Sequence, residues 1–455
     1  MTDVAALLRD ALGARVDTSE PALEAARADK SGHRAAGRPL AVVRAASVSD
    51  VQATMRIATA TGTPVVTRGA GTGLAGGANT GAGEIALSVR DMGRVLEVRP
   101  DDLLAVVEPG ILNADLGRAL APYGLWWAPD PASREISTVG GNIATGAGGL
   151  LCAKYGVVRD AVLALDVVLA DGRLISTGHR SVKGVTGYDL TALMIGSEGT
   201  LGVVVGATLK LRRLVPGETR TLTAQFPDVR TAAAGAAAVT ASGAQPAIME
   251  LMDAVSLAAA HALLGLPSPT PGATQLTVQT DGVAAAAEQA AIADVLSAVG
   301  GAVRLAADDD EAAQLWAVRR AMHPAMESLG TALIEDVSVP RSALPAMFDE
   351  IARIETEFDL TIPTVCHAGD GNLHPNFIFD GDEVPERVWQ AADALFRAAI
   401  ALGGTLTGEH GIGVLKSRWL ADELGEDQWS LQRGIKAVFD PAGILNPGKV
   451  FAGQP

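Results

Sequence analysis

The sequence predicts an α+β chain of two or three lobes, on three observations. Its 455 residues exceed what one ordinary core encloses. From about residue 39 to 215, short β-rich runs alternate with glycine-dense loops, and only two helical segments intervene. Beyond Pro216 the texture changes to helices alternating with strands.

In chain order, MTDVAALLRDALGARV repeats apolar residues at helical spacing, so residues 1–38 read as a helical segment. Asp3, Arg9 and Asp10 would fall inside the apolar stretch of a signal peptide, and no export signal is expected. Strands follow at LAVVRA, TPVVTR, EIALSV, LLAVVEP, VLALDVVLA and GVVVGATLKL, with helices at SDVQATMRIATATG and ILNADLGRALAPYG. These outline a first domain over 39–216. Over 217–410, DVRTAAAGAAAV, residues 283–298 and the stretch from Leu344 to Phe358 read as helices, and AIMELMD, QLTVQT and ALIEDVSVP as strands. The simplest arrangement is an antiparallel sheet covered by helices. In 411–455, GIKAVFDPAGILNPGKVF reads as loop on account of Pro441, Gly443, Pro447 and Gly448, and would return to the first domain.

A formal net charge of −16 without a lysine or arginine cluster argues against a nucleic-acid partner, because phosphate binding needs a basic face. The most apolar stretches are alanine-rich or broken by Glu288 and Asp294, so no integral membrane segment is expected. Only Cys152 and Cys366 occur, which fits a reducing cytoplasm rather than a disulfide framework.

The first domain carries two glycine loops. In PVVTRGAGTGLAGGA, Gly71, Gly73 and Gly76 keep the GxGxxG spacing after a strand, yet the chain continues as loop where a dinucleotide fold would open a helix. The better reading is a nest of backbone N–H groups converging on an anion such as a pyrophosphate. APDPASREISTVGGNIATGAGG repeats the design, with Ser137, Thr138, Asn142 and Thr145 as extra donors. Two such loops point to a large dinucleotide.

In CHAGDGNLHPNF, the turn formers Gly369 to Asn372 lie between β-rich flanks and predict a hairpin. With those residues as the loop, His367 sits directly opposite His374, close enough for both imidazoles to share a ligand, and Asn376 points the same way. Two neutral imidazoles suit zinc or a similar divalent ion. On the helix EAAQLWAVRRAM, Trp316 and Arg319 share a face. An arginine fork there suits a carboxylate.

Taken with KYGVVRDAVLALDVVLADGR, GYDLTALMIGSEGTLGVVV, TGEHGIGVLKSRWL and FDPAGILNPGKVF, these segments resemble the FAD-linked 2-hydroxyacid dehydrogenases. That group includes the glycolate oxidase catalytic subunit, D-lactate dehydrogenase with non-NAD acceptors and D-2-hydroxyglutarate dehydrogenase, within the vanillyl-alcohol oxidase superfamily. The resemblance runs from about residue 39 to 451. It implies a PCMH-type FAD-binding domain of two subdomains, a substrate cap domain and a C-terminal segment that returns to the flavin.

By motif match, Arg68, Gly69, Ala70, Gly71, Thr72, Gly73 and Leu74 would wrap the pyrophosphate of FAD. Pro129, Asp130, Thr138, Gly141, Asn142, Thr145 and Gly146 would line the flavin, Val203 and Val204 would add backbone contacts, and Asn446 would approach the ring. No flavin-linking histidine or cysteine motif stands out, so the FAD is expected to be noncovalent. The resemblance also supplies Glu409 as third metal ligand beside His367 and His374, and Arg319 as the substrate's carboxylate clamp through its Trp-x-x-Arg.

The expected chemistry is oxidation of a D-2-hydroxy acid to a 2-oxo acid. A divalent metal, zinc by donor type, would hold the substrate's hydroxyl and one carboxylate oxygen. His410 would accept the hydroxyl proton, and hydride would pass from Cα to flavin N5. Asn376 would hydrogen-bond the substrate. Electrons would then leave to an electron-transfer flavoprotein, a cytochrome or a quinone, and a homodimer is among the assemblies open to the chain. Where the D-2-hydroxyglutarate branch has a lysine before a strand-end Ser-x-Pro, this sequence has Ile334 and Glu335, which favours a monocarboxylate such as D-lactate or glycolate. A zinc hydrolase and a noncatalytic flavoprotein subunit are the readings from other classes.

Overall fold

A computed structural model describes residues 3–381 and 383–451, and the chain divides into two compact units. The first takes up residues through Gly149, Gly156–Leu214 and the chain from Glu409 on; the second takes up Leu150–Tyr155 and Val215–Gly408.

The first unit holds two main sheets. In one, the strands Ala41–Arg44 and Val65–Arg68 run parallel to and on either side of Ile85–Ser88, and Val16–Asp17 pairs at the outer edge of Ala41–Arg44. The runs AVV and IAL are buried on both faces, as parallel strands require. Helices Val4–Leu12 and Val48–Thr61 contribute Leu8, Val51, Met55 and Ala58 to the core of this layer. The other sheet is antiparallel, in the order Val95–Arg99, Leu104–Val107, Val203–Lys210, Val162–Val168, Leu174–Gly178. Trp127 packs in its core and donates Nε1–H to the Ala161 carbonyl at 3.0 Å. Trp126 lies in a small two-stranded pair with Arg212. Both tryptophans therefore pack this unit.

Two stretches whose composition predicts loop contain helix. STVGGNIATGAGG includes the short helix Val139–Thr145, started by Thr138, whose Oγ1 accepts from the Gly141 amide at 3.2 Å. Its glycines favour turns, but a side-chain cap and the left-handed Gly146 at its end make this short helix favourable. Near the C-terminus, Leu420–Phe439 is helical with a break at Gly425, and Pro441 falls just beyond it. The irregular part of this region begins only past that helix. There Ile444 to Asn446 lies beside Val65, with Val65 N donating to the Ile444 carbonyl and Asn446 N donating to the Val65 carbonyl, each at 2.8 Å.

The second unit is an eight-stranded antiparallel sheet. Its order is Ala302–Leu305, Glu218–Phe226, Thr274–Gly282, Ile248–Met252, Thr364–His367, Asn372–Phe379 and Thr331–Ile334, with Val337–Ser338 also paired to Asn372–Phe379. Helices Val229–Ala241 and Ala285–Ala298 pack against each other and the sheet, and Leu344–Phe358 packs on Val229–Ala241; each buries the apolar face that its spacing forecasts. Among the described residues, no helix is long and apolar enough to cross a membrane.

Candidate functional site

In the first unit, the two glycine loops meet across a cleft. Gly69, Ala70, Gly71, Thr72, Gly73 and Leu74 line it from one loop, and Thr138, Gly141, Asn142 and Thr145 from the other, with Val204 also among the lining residues. The approach is close: a Cβ on Gly69 would run into Thr138 Oγ1. Gly71 takes φ +68 with the Arg68 guanidinium directly behind it, a conformation and a space that only glycine fits. Two buried polar atoms of lining residues, Thr67 Oγ1 and Asn142 Nδ2, have no hydrogen-bond partner among the described residues. A wall of glycine amides with such donors and acceptors suits a polyanionic, hydrogen-bonding ligand.

The remaining residues expected at this site stand behind the wall. Arg68 donates from Nη1 to the carbonyls of Ala26 and Ala78, at 3.2 and 2.9 Å, and from Nη2 to Ala28 at 2.7 Å. Burial lowers its pKa. It therefore shapes the loop. Asn446, at φ +45, donates Nδ2–H to the carbonyls of Gly77 (3.0 Å) and Glu198 (2.6 Å), tying two loops together. Pro129, Asp130, Gly146 and Val203 flank the lining residues without lining the cleft themselves.

Sequence reasoning missed Glu198, which lines the cleft at φ +51. Its carboxylate accepts from the Ile412 and Gly413 amides at 2.7 and 2.8 Å. Burial pushes its pKa up to about 7 against those two hydrogen bonds and the nearby Lys416 charge. It thereby fixes the turn that presents Glu409 and His410, which line the same cleft. The SEGT within GYDLTALMIGSEGTLGVVV was the available signal.

In the second unit, the hairpin register corrects the expectation. His367 pairs with Asn372 and Val365 with His374, so the loop runs from Ala368 to Gly371 and the histidines are diagonal rather than opposed. The His367 carbonyl accepts from the Asp370 and Gly371 amides, at 3.1 and 3.0 Å, closing the turn one residue earlier. Asn372 joins the strand because its Nδ2 is taken by Asp336 Oδ1 at 2.5 Å and the Val337 carbonyl at 3.0 Å. The pleat still puts both imidazoles on one face, with ring centroids 5.0 Å apart at 82°.

That face is polar and buried: His367, Asn372, His374 and Asn376 are all at most 7% exposed. Asn376 gives its Nδ2 hydrogens to the carbonyls of Pro363 (3.2 Å) and His374 (2.8 Å), which leaves its oxygen as the group to offer a ligand. Asp336 Oδ1 lies 4.0 Å from His374 Nδ1, and Asp336 also accepts from the Thr407 hydroxyl. Glu250, unremarked in the sequence, lies across from His367 on the strand Ile248–Met252. Its Oε1 is 2.7 Å from His367 Nδ1, and its Oε2 accepts from Arg319 Nε at 2.8 Å and pairs with Nη2 at 2.7 Å. Burial pushes the Glu250 pKa up, but the charges and hydrogen bonds of His367 and Arg319 outweigh it and hold it below the ordinary carboxylate range. Trp316 anchors the arginine's helix, donating Nε1–H to Thr221 Oγ1 at 3.2 Å. Two imidazoles on one face, one hydrogen-bonded to a carboxylate, form a donor set that suits a divalent metal.

Comparison with known proteins agrees with both halves. Residues 39–178 match the FAD binding domain family, and residues 215–450 match the C-terminal domain of FAD linked oxidases. The chain is 40% identical over 423 residues to glycolate oxidase subunit GlcD of Bacillus subtilis, covering 91% of this chain and 89% of that one. It is 34% identical over 428 residues to a D-lactate dehydrogenase of Anaerostipes hadrus, covering 91% and 90%. Its fold is that of p-cresol methylhydroxylase, solved with substrate bound, at a TM-score of 0.79 and 18% identity over 98% of this chain and 96% of that one. The α+β architecture is thus the PCMH-type flavoprotein fold. With both domain families matched in chain order and relatives aligned over nine-tenths of its length, the chain belongs to the FAD-linked oxidases and is an FAD-dependent oxidoreductase.

Proposed function

We propose that this oxidoreductase converts a small monocarboxylic 2-hydroxy acid, D-lactate or glycolate, into its 2-oxo acid and hands the electrons to an acceptor other than NAD. The observation that carries the reading is the cleft of the first unit, where His410 stands among the residues of both glycine loops. Removal of a hydroxyl proton needs a base at the flavin, and an imidazole is suited to the task near neutral pH. The names of the relatives, a glycolate oxidase subunit and a D-lactate dehydrogenase, support the substrate class.

FAD bound along the glycine loops would supply the two-electron acceptor. His367, His374 and Glu409 would hold a divalent ion, zinc by donor type, and such an ion would acidify the substrate hydroxyl. Arg319 would hold the carboxylate; Glu250 takes its Nε and Nη2 donors, so an anion would meet the Nη1 side. Asn376 would offer its oxygen to the substrate. Where the D-2-hydroxyglutarate branch has a lysine for the second carboxylate, this chain has Ile334 and the buried Glu335, and the lack of a cation there would disfavour D-2-hydroxyglutarate. The first unit would serve as the FAD domain and the second as the substrate domain, and a flavoprotein, cytochrome or quinone would take the electrons. A zinc hydrolase would leave the FAD domain without a role.

The test is anaerobic absorbance of the purified flavoprotein with D-lactate, glycolate and D-2-hydroxyglutarate, with and without a chelator. Bleaching by one of the first two acids, prevented by chelation, is expected. Bleaching by D-2-hydroxyglutarate alone would overturn the monocarboxylate assignment, and bleaching indifferent to chelation would remove the metal.

A further inference from the structure

We infer that Glu250 is the positioning residue that sets both the metal-facing nitrogen of His367 and the direction of the Arg319 fork. The inference rests on the metal reading above. One carboxylate bridges the two: Oε1 meets His367 Nδ1 at 2.7 Å, and Oε2 meets Arg319 Nε and Nη2 at 2.8 and 2.7 Å. The side chains are 1% (Glu250), 9% (His367) and 13% (Arg319) exposed, so these contacts lie in a low-dielectric setting that strengthens them. The cross-strand register of Glu250 with His367 fixes the separation through backbone pairing, not through a flexible loop.

The chemistry comes from donor and acceptor counts. A carboxylate only accepts, so the proton of a neutral His367 imidazole sits on Nδ1 and the Nε2 lone pair points away, available to a metal. The same carboxylate takes one edge of the guanidinium and turns its remaining donors toward an anion. A glutamine at 250 cannot serve both partners. Its oxygen goes to Arg319, where an NH2 group would meet donors, and its NH2 then faces His367 Nδ1. That favours the opposite tautomer, with the proton on Nε2.

Zinc affinity of the chelator-treated flavoprotein, measured by isothermal titration calorimetry, tests this. Glu250→Gln is expected to weaken zinc binding by about 10–100-fold, the range for loss of an outer-shell partner. In the double variant Glu250→Gln/Arg319→Met the glutamine oxygen is released to accept from His367 Nδ1–H, and zinc affinity should recover toward wild type. A residue that merely stabilised the sheet would leave the double variant as weak as the single one, and that result overturns the inference. If Glu250→Gln does not fold, the double variant alone carries the test, with near-wild-type affinity expected and a loss of tenfold or more against it. His367→Ala separates the two readings. Zinc bound by His367→Ala as by wild type sinks the metal site itself. Zinc lost in His367→Ala but bound normally by Glu250→Gln sinks only the role of Glu250.

Discussion

Two arginines that the sequence aims at anionic ligands turn out to be held by the protein. Arg319 is gripped by Glu250, and Arg68 satisfies three backbone carbonyls and so builds the loop that Gly69 to Leu74 present. Replacing Arg68 with alanine should cost on the order of 3 kcal/mol in denaturant unfolding, because hydrogen bonds from a charged donor are lost and the carbonyls are left buried. Unchanged stability would mean that the guanidinium serves a ligand instead. His410 has a different test. If it is the base, His410→Ala should slow anaerobic flavin reduction by ~10²–10⁴-fold while FAD stays bound; reduction at the wild-type rate would remove it from the mechanism.

At the scale of elements, a half-buried cap ties a helix to the antiparallel sheet of the second unit. Asp253 starts the helix Ala254–Leu263, accepting from Ser256 N at 2.7 Å, and its other oxygen accepts from Thr364 N at 2.6 Å beside the metal-candidate strand. Burial pushes its pKa up to about 6 against those hydrogen bonds, with Glu355 adding to the rise. A carboxyl whose folded pKa exceeds its unfolded value holds a proton that the unfolded chain has released, so its contribution to stability falls as pH rises from about 4 to about 6. Asp253→Asn removes that titration while keeping a capping oxygen. The unfolding free energy of the variant relative to wild type, from denaturant titrations, should therefore climb across this window by on the order of 3 kcal/mol and then level off. A pH-independent difference would show that Asp253 does not titrate there.

On the scale of the whole molecule, the chain enters the second unit twice, once for only Leu150–Tyr155. That short segment is anchored there by Lys154 Nζ and Tyr155 Oη on the two oxygens of Asp281, each at 2.5 Å. The sheets and helices of each unit are its own. Calorimetry should accordingly resolve more than one unfolding transition. FAD added at a thousandfold its dissociation constant should raise one of them by about 4 kcal/mol, as expected for a ligand that binds a single folded unit. A single cooperative transition moving as a whole would contradict this.

The strands of the first unit, the paired histidines and the glycine loops were legible in the sequence because each is a local pattern: β-branched runs, turn formers and residues of unusual chemistry at close spacing. The helix at Val139–Thr145 was not, since glycine-rich composition outweighed a cap that becomes visible only through its hydrogen bond. The diagonal placement of His367 and His374 depended on Asp336 capturing Asn372 from 36 residues away. Glu250 and Glu198 were invisible for the same reason. An acidic residue in a strand or loop reads as solvated until long-range pairing buries it against an arginine and a histidine, or against the amides of a distant turn. The sequence by itself determined which residue types are available to a candidate site. Only the tertiary structure decided which groups hold them, because register and burial are set by contacts far apart in the chain.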